Sequence, residues 1–176
     1  MSKMARIMKL SALISVFLTL IFALLKITPL TITAATFSYH LLMRLGVGFI
    51  IDKLMHNRAD YYHSWFRQHR FEKALYAFLR VSRWKAALPS YEPELFDRHQ
   101  HSWDEIAQAM CQAELVHEAI AVLSFLPLAA SVWLGEPAVF AITSVLAAAF
   151  DMLFVILQRY NRPRILKIIE RLQQRS

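Results

Sequence analysis

Four apolar stretches constrain this chain more than any other feature of its sequence. They cover about residues 10–25, 30–51, 115–134 and 138–157. About 20 predominantly apolar residues are enough for a helix to cross the hydrocarbon core of a bilayer. In lipid a backbone amide finds no water, so stretches of this kind must satisfy their own hydrogen bonds as helices. Short turn-forming segments separate them, Lys26-Ile27-Thr28-Pro29-Leu30 in the first pair and Gly135-Glu136-Pro137 in the second. The expected fold is an all-α integral membrane protein: one membrane domain over residues 1–176 with four transmembrane helices. Hydrophobic residues make up 57% of the chain, against about 45–50% in an ordinary soluble domain. A single cysteine, Cys111, excludes an internal disulfide.

The first apolar run follows Lys3, Arg6 and Lys9, a pattern shared with secretory signal peptides. No small-x-small cleavage site comes after it, so a retained helix is expected. Residues 52–103 form the one long stretch outside the spans. There Tyr61, Tyr62, Trp65, Phe66, Phe71, Leu75, Phe78 and Leu79 alternate with Arg67, Arg70, Lys73, Arg80 and Arg83. This mixture suits an amphipathic helix lying in the membrane interface. Basic and aromatic residues together also describe a single-stranded nucleic-acid groove, but beside membrane spans no nucleic-acid partner is expected. Pro89-Ser90-Tyr91-Glu92-Pro93 breaks the segment, Arg98 to Ser102 reads as a loop, and Ser102 is the expected N-cap of the third helix, with Asp104 and Glu105 in its first turn. After the last span, residues 158–176 form a basic tail; Pro163 is expected to stop the helix, and the residues after it read as an amphipathic surface helix.

The net charge of +7 sorts along this topology. With four spans, the basic N-terminus, the central segment and the tail all fall on one side, and only Lys26 on the other. Cytoplasmic flanks collect Lys and Arg, so a multi-pass cell-membrane protein with both termini in the cytoplasm is expected.

Two polar clusters stand out against the apolar background. Arg44 and Asp151 each lie seven residues before the cytoplasmic end of a span, roughly 10 Å deep at ~1.5 Å per residue. An unpaired charge at that depth is costly, so the two are expected to pair, with His40 one turn deeper. Such a pair serves either as a structural clamp or as the polar floor of a substrate cleft. Glu114 and His117 are three residues apart and share a helix face where the third helix turns from polar to apolar. A carboxylate that orients an imidazole is what general-base chemistry requires; an ordinary surface pair looks the same in sequence. Cys111 would project about 120° away from His117 and is a poor nucleophile candidate. His99 and Asp104 have the His-x4-Asp spacing of glycerolipid acyltransferases, without that family's other blocks. His99, His101 and Asp104 on a loop make a weak ligand set, and no metal is expected.

The most distinctive stretch is Gln158-Arg159-Tyr160-Asn161-Arg162-Pro163-Arg164. Flanking positive charge explains its arginines, but not Tyr160, Asn161 or Pro163. Arginine forks suit phosphate, in a lipid headgroup or an acyl carrier. Together with Ala113-Glu114-Leu115-Val116-His117 and Arg83-Trp84-Lys85, this stretch resembles the glycosyl-4,4′-diaponeurosporenoate acyltransferases. Those are small multi-pass membrane enzymes that esterify the sugar of a glycosylated carotenoid acid. The resemblance runs from about Phe71 to the C-terminus. It implies Glu114 and His117 as the catalytic pair, and Arg159, Asn161, Arg162 and Arg164 as the donor or headgroup site, with Trp84 and Lys85 nearby. Gln112, Glu118 and the surroundings of Asp151 depart from the family pattern, in which a basic residue, an aromatic and an Asn followed by Pro occur.

The expected function is transfer of a fatty acyl group to a hydroxyl of a glycolipid-like acceptor, with acyl-CoA or acyl carrier protein as donor and no bound cofactor. The alternative is a non-catalytic membrane subunit that binds lipid or docks a partner enzyme.

Overall fold

The computed structural model describes residues 2–135 and 137–175. Among these residues all regular structure is helical, and four helical segments are long and apolar enough to cross a membrane. Glu136, the centre of the expected Gly135-Glu136-Pro137 turn, lies outside the described residues.

Helix α1 (Lys3–Leu24) starts at Ser2, whose hydroxyl accepts the amide N–H of Ala5 at 3.1 Å. It ends at a turn in which Lys26 takes a left-handed conformation (φ 58°). Helix α2 (Thr28–Met55) begins with Pro29 in its first turn, where no amide hydrogen is needed. Both helices run past the apolar stretches that identify them, to 3–24 and 28–55 rather than 10–25 and 30–51. They pack as a hairpin, with the Thr19 and Ser38 hydroxyls 3.2 Å apart across the seam. Thr31, Thr33, Thr36 and Ser38 each donate to the carbonyl four residues back. Hydroxyls in a membrane helix are satisfied in this way without a partner outside it.

The central segment does not form one interfacial helix. It breaks into α3 (Arg70–Phe78), a single-turn α4 (Val81–Trp84) and 3-10 turns at Ser64–Phe66, Lys85–Ala87 and Pro93–Phe96. Arg80, at φ 50°, makes the corner between α3 and α4. The chain bends back because its buried residues (Phe66, Glu72, Tyr76 and Val81) do not lie along one face of a continuous helix.

Helix α5 (Trp103–Leu123) opens with a full capping box. Ser102 Oγ accepts the Glu105 amide, and Glu105 accepts the Ser102 amide at 2.7 Å. The helix ends at Ser124, and α6 (Leu126–Leu134) continues the third span in a new direction. Pro127 causes the break. An unbroken helix would bond residue 127 N–H to the Leu123 carbonyl, and proline has no N–H to give. Tyr39 of α2 donates its hydroxyl to that carbonyl instead, at 2.8 Å.

Helix α7 (Pro137–Gln173) corrects a second expectation. Its 37 residues run through Pro163 without stopping, so residues 158–173 of the expected basic tail continue the same helix that forms the last span. At ~1.5 Å per residue α7 is roughly 55 Å long, well beyond a bilayer core of ~30 Å. It continues past the proline because the turn before it is fixed from outside: the side chains of Arg159 and Arg162 anchor it to α5 and to the central segment. Beyond the proline, Ile169 is again buried. The most extensive helix–helix contact is between α5 and α7, and that antiparallel pair carries the site.

Candidate functional site

The α5–α7 seam is polar over about three turns of α7. Asp151, Gln158 and Arg162 of α7 and Glu114 and Gln112 of α5 are all buried. Two separate clusters occupy this seam.

In the deeper one, Asp151 is 1% exposed and holds a partner on each carboxylate oxygen. Arg44 of α2 donates Nη2 to Oδ2, and His117 Nδ1 lies 3.0 Å from Oδ1. The expected Arg44–Asp151 pair is therefore present, drawing spans two and four together. His117 meets this pair rather than Glu114. The roles in this contact depend on the tautomer of the ring; in the one that donates from Nδ1 to the carboxylate, Nε2 keeps its lone pair. The ring stacks on Phe154 at 4.5 Å between centroids, and Phe154 packs edge-on against Phe150. The His117 side chain is 24% exposed, and Phe150 is exposed beside it. His40, one turn deeper than Arg44, is buried with neither ring nitrogen hydrogen-bonded.

The second cluster lies one turn of α5 toward its N-terminus. Glu114 is fully buried between two guanidinium groups, with Oε1 2.6 Å from Arg159 Nη1 and Oε2 2.5 Å from Arg162 Nη1. Arg159 also pairs with Glu72 of α3 at 2.7 Å and donates to the backbone carbonyls of Trp65 and Arg67. A guanidinium has five N–H groups, and all five of Arg159 are engaged. Arg162 donates to the Phe66 carbonyl, lies over the Phe66 ring, and reaches Cys111 Sγ at 3.6 Å. Two arginines against two carboxylates make this core neutral.

Glu72 sits outside the spans. Burial pushes its carboxyl up, but hydrogen bonds from Arg159 and Tyr76 outweigh that and hold it below the usual carboxylate range. Burial, then the bond to Glu72, raises the Tyr76 hydroxyl.

Other residues named from the sequence are placed apart from this core. Lys85 Nζ donates to Asn161 Oδ1 at 3.0 Å and lies over the Tyr160 ring. Arg164 also lies over the Tyr160 ring, 4.4 Å from its centroid, and donates to the Tyr160 hydroxyl. Trp84 turns away, its indole N–H donating to the Leu79 carbonyl. His99 and Asp104 are not brought together: Asp104 accepts the Tyr61 hydroxyl at 2.6 Å, and His99 stands on an exposed turn. The two departures on α5 also have local partners. Gln112 accepts the Asn57 amide and donates to Asp52, tying the end of α2 to α5, and Glu118 accepts the Trp65 indole.

Sequence reasoning missed Glu72 and the role of Asp151 as partner of His117. Glu72 left a signal, because it is the only acidic residue between Asp60 and Glu92. Asp151 was visible as a buried charge, but its second partner lies 34 residues away and depends on how α5 and α7 are rotated against each other.

A family model described as glycosyl-4,4′-diaponeurosporenoate acyltransferase matches residues 62–171. The match takes in most of the central segment, α5, α6 and nearly all of α7, and so includes every residue of both clusters except Arg44 and His40. Searches of curated proteins and of solved structures found no match.

Proposed function

The chain belongs to the glycosyl-4,4′-diaponeurosporenoate acyltransferase family, and from that premise we propose that it transfers a fatty acyl group to a hydroxyl of a glycolipid-like acceptor such as a glycosylated carotenoid. The acyl donor is a thioester, acyl-CoA or acyl carrier protein, and catalysis takes place at the cytoplasmic side of the cell membrane. The observation that carries this reading is the chain His117–Asp151–Arg44, set into an otherwise apolar helix bundle.

His117 is the general base. Its Nε2 takes the proton of the acceptor hydroxyl as that oxygen attacks the thioester carbonyl. Asp151 stabilises the imidazolium that forms, and Arg44 holds the second carboxylate oxygen of Asp151 so that the first faces the ring. The tetrahedral intermediate then collapses with cleavage of the carbon–sulfur bond. The thiolate leaves with the proton from His117, so one ester forms, one thioester breaks and the imidazole returns to neutral. Glu114 is not the orienting carboxylate of this reading, because both its oxygens are taken by arginines. Arg159 and Arg162 serve as the brace that fixes α7 against α5, and with its donors engaged Arg159 is not available to a phosphate or an oxyanion. The exposed Phe150 beside His117 suits an acceptor that arrives from the lipid.

His117→Ala, assayed in membranes supplied with a labelled acyl donor and glycosylated carotenoid, should lower the transfer rate by about 10²–10⁴-fold, the usual contribution of a general base. Transfer retained by the variant removes His117 from the mechanism. No transfer by the wild-type chain across a range of acceptors favours a non-catalytic subunit that binds lipid or docks a partner enzyme.

A further inference from the structure

Helix α3 presents three distinct faces. Glu72 and Tyr76 are buried toward Arg159. Phe71, Leu75 and Phe78, at positions i, i+4 and i+7, form an exposed apolar stripe, with Phe71 65% and Phe78 82% accessible. The third face carries Lys73 and leads to the Arg80 corner. It lines a groove of about 410 Å³, completed by Arg83 on α4 and by Tyr160, Arg164 and Lys167 on α7. No Asp or Glu lines this groove. Among the described residues, Lys73, Arg80, Arg83 and Lys167 form no salt bridge. Five cations thus converge without a counter-charge, while the arginines deeper in α7 are neutralised by Glu72 and Glu114.

We propose that this groove binds the phosphate of an anionic phospholipid headgroup, with the Phe71, Leu75 and Phe78 stripe seated among the acyl chains beside it. Free cations call for an anion, and Arg and Lys forks and points supply its donors. The neighbouring apolar stripe selects a lipid over a soluble phosphate, since an exposed apolar face next to a basic one is the pattern of an interfacial segment. Position on α7 separates the groove from the acyl-transfer site. Arg164 is thirteen residues beyond Asp151, roughly 20 Å along the helix, and Tyr160 is about two and a half turns from Asp151, on the opposite face. A donor whose phosphate sat in the groove would have to carry its thioester around α7 and past the Arg159 cluster to reach His117. The inference stands independently of the acyl-transfer reading.

The test uses the full chain purified in neutral detergent and titrated with dioleoylphosphatidylglycerol or dioleoylphosphatidylcholine, with bound lipid read by native mass spectrometry. Parallel arms contain inorganic phosphate or coenzyme A. The triple variant K73Q/R80Q/R83Q is compared with K3Q/R6Q/R175Q, which removes the same charge elsewhere, also at exposed positions. Each cation near a lipid surface changes affinity roughly fivefold, so the groove variant should bind phosphatidylglycerol about a hundredfold more weakly, with the control within about threefold of wild type. Equal losses in both variants would reduce the effect to diffuse positive charge and overturn the site. Displacement of phosphatidylglycerol by coenzyme A or phosphate at matching concentrations would overturn the lipid assignment. Binding is read without catalysis, and His117→Ala should retain it, so failure here and failure of the transfer assay are separate results.

Discussion

Glu114 is the residue on which the α5–α7 seam turns. It is 0% exposed and Arg162 2%, so neutralising the carboxylate leaves a buried guanidinium without its counter-ion. Glu114→Gln should cost about 3–5 kcal/mol, the usual penalty for breaking a buried ion pair, and lower the melting temperature of the purified protein. Removing the second charge as well, in Glu114→Gln/Arg162→Met, should recover part of that loss; a double variant no more stable than the single one would show that the charges are not coupled. Glu72 makes the same cluster sensitive to acid. Its folded carboxyl is held below the ordinary range by Arg159 and Tyr76, so the folded state binds this proton less readily than the unfolded chain does. The stabilisation from Glu72 is present above the unfolded value of about 4.3 and is lost as pH falls through the folded value. Thermal melts of wild type and Glu72→Gln should therefore differ at neutral pH and converge in acid.

Prolines mark the decisive positions among the elements, and their sequence signal is the same in each case. Pro127 breaks the third span, whereas Pro163 does not break the fourth. The difference lies in what surrounds each one. The Leu123 carbonyl left without a helical donor is accepted into another bond, from Tyr39, and the chain is free to turn. The helix around Pro163 is braced by Arg159 and Arg162. Tyr39→Phe removes the bond to Leu123 and should destabilise the protein by about 1 kcal/mol, seen as a lower midpoint of thermal unfolding; an unchanged midpoint would mean that water serves Leu123 equally well. The central segment shows a related limit. Its aromatic and basic spacing is legible, but four buried residues on different faces force the chain to fold back into short helices.

Across the whole molecule, charge asymmetry and architecture agree on which end of the bundle is basic. The N-terminal end of α1 meets the central segment, where the Ser2 hydroxyl donates to the Tyr91 carbonyl, and the central segment holds the second half of α7. Three basic regions thus share one end of the bundle, opposite Lys26. We propose that this basic end faces the cytoplasm; single cysteines at positions 3 and 175 should then be shielded from an impermeant thiol reagent in intact cells, and a cysteine at position 26 should react. Cys111 is buried and leaves little background. Labelling of position 3 or 175 before lysis would reverse the proposed topology.

The sequence alone determined the elements of this protein and their chemistry at the level of type. Bilayer physics leaves a long apolar stretch no state but a helix, so four spans, the α1–α2 turn, the Ser102 cap and the pairing of Arg44 with Asp151 were all readable from local pattern and depth. Tertiary structure decided which charged groups meet. A carboxylate takes the partner that helix rotation and inter-helix register bring within about 3 Å, and neither is written in any short stretch of the chain. That is why Glu114 faces the arginines, His117 faces Asp151, and Glu72, distant from all of them in sequence, closes the cluster.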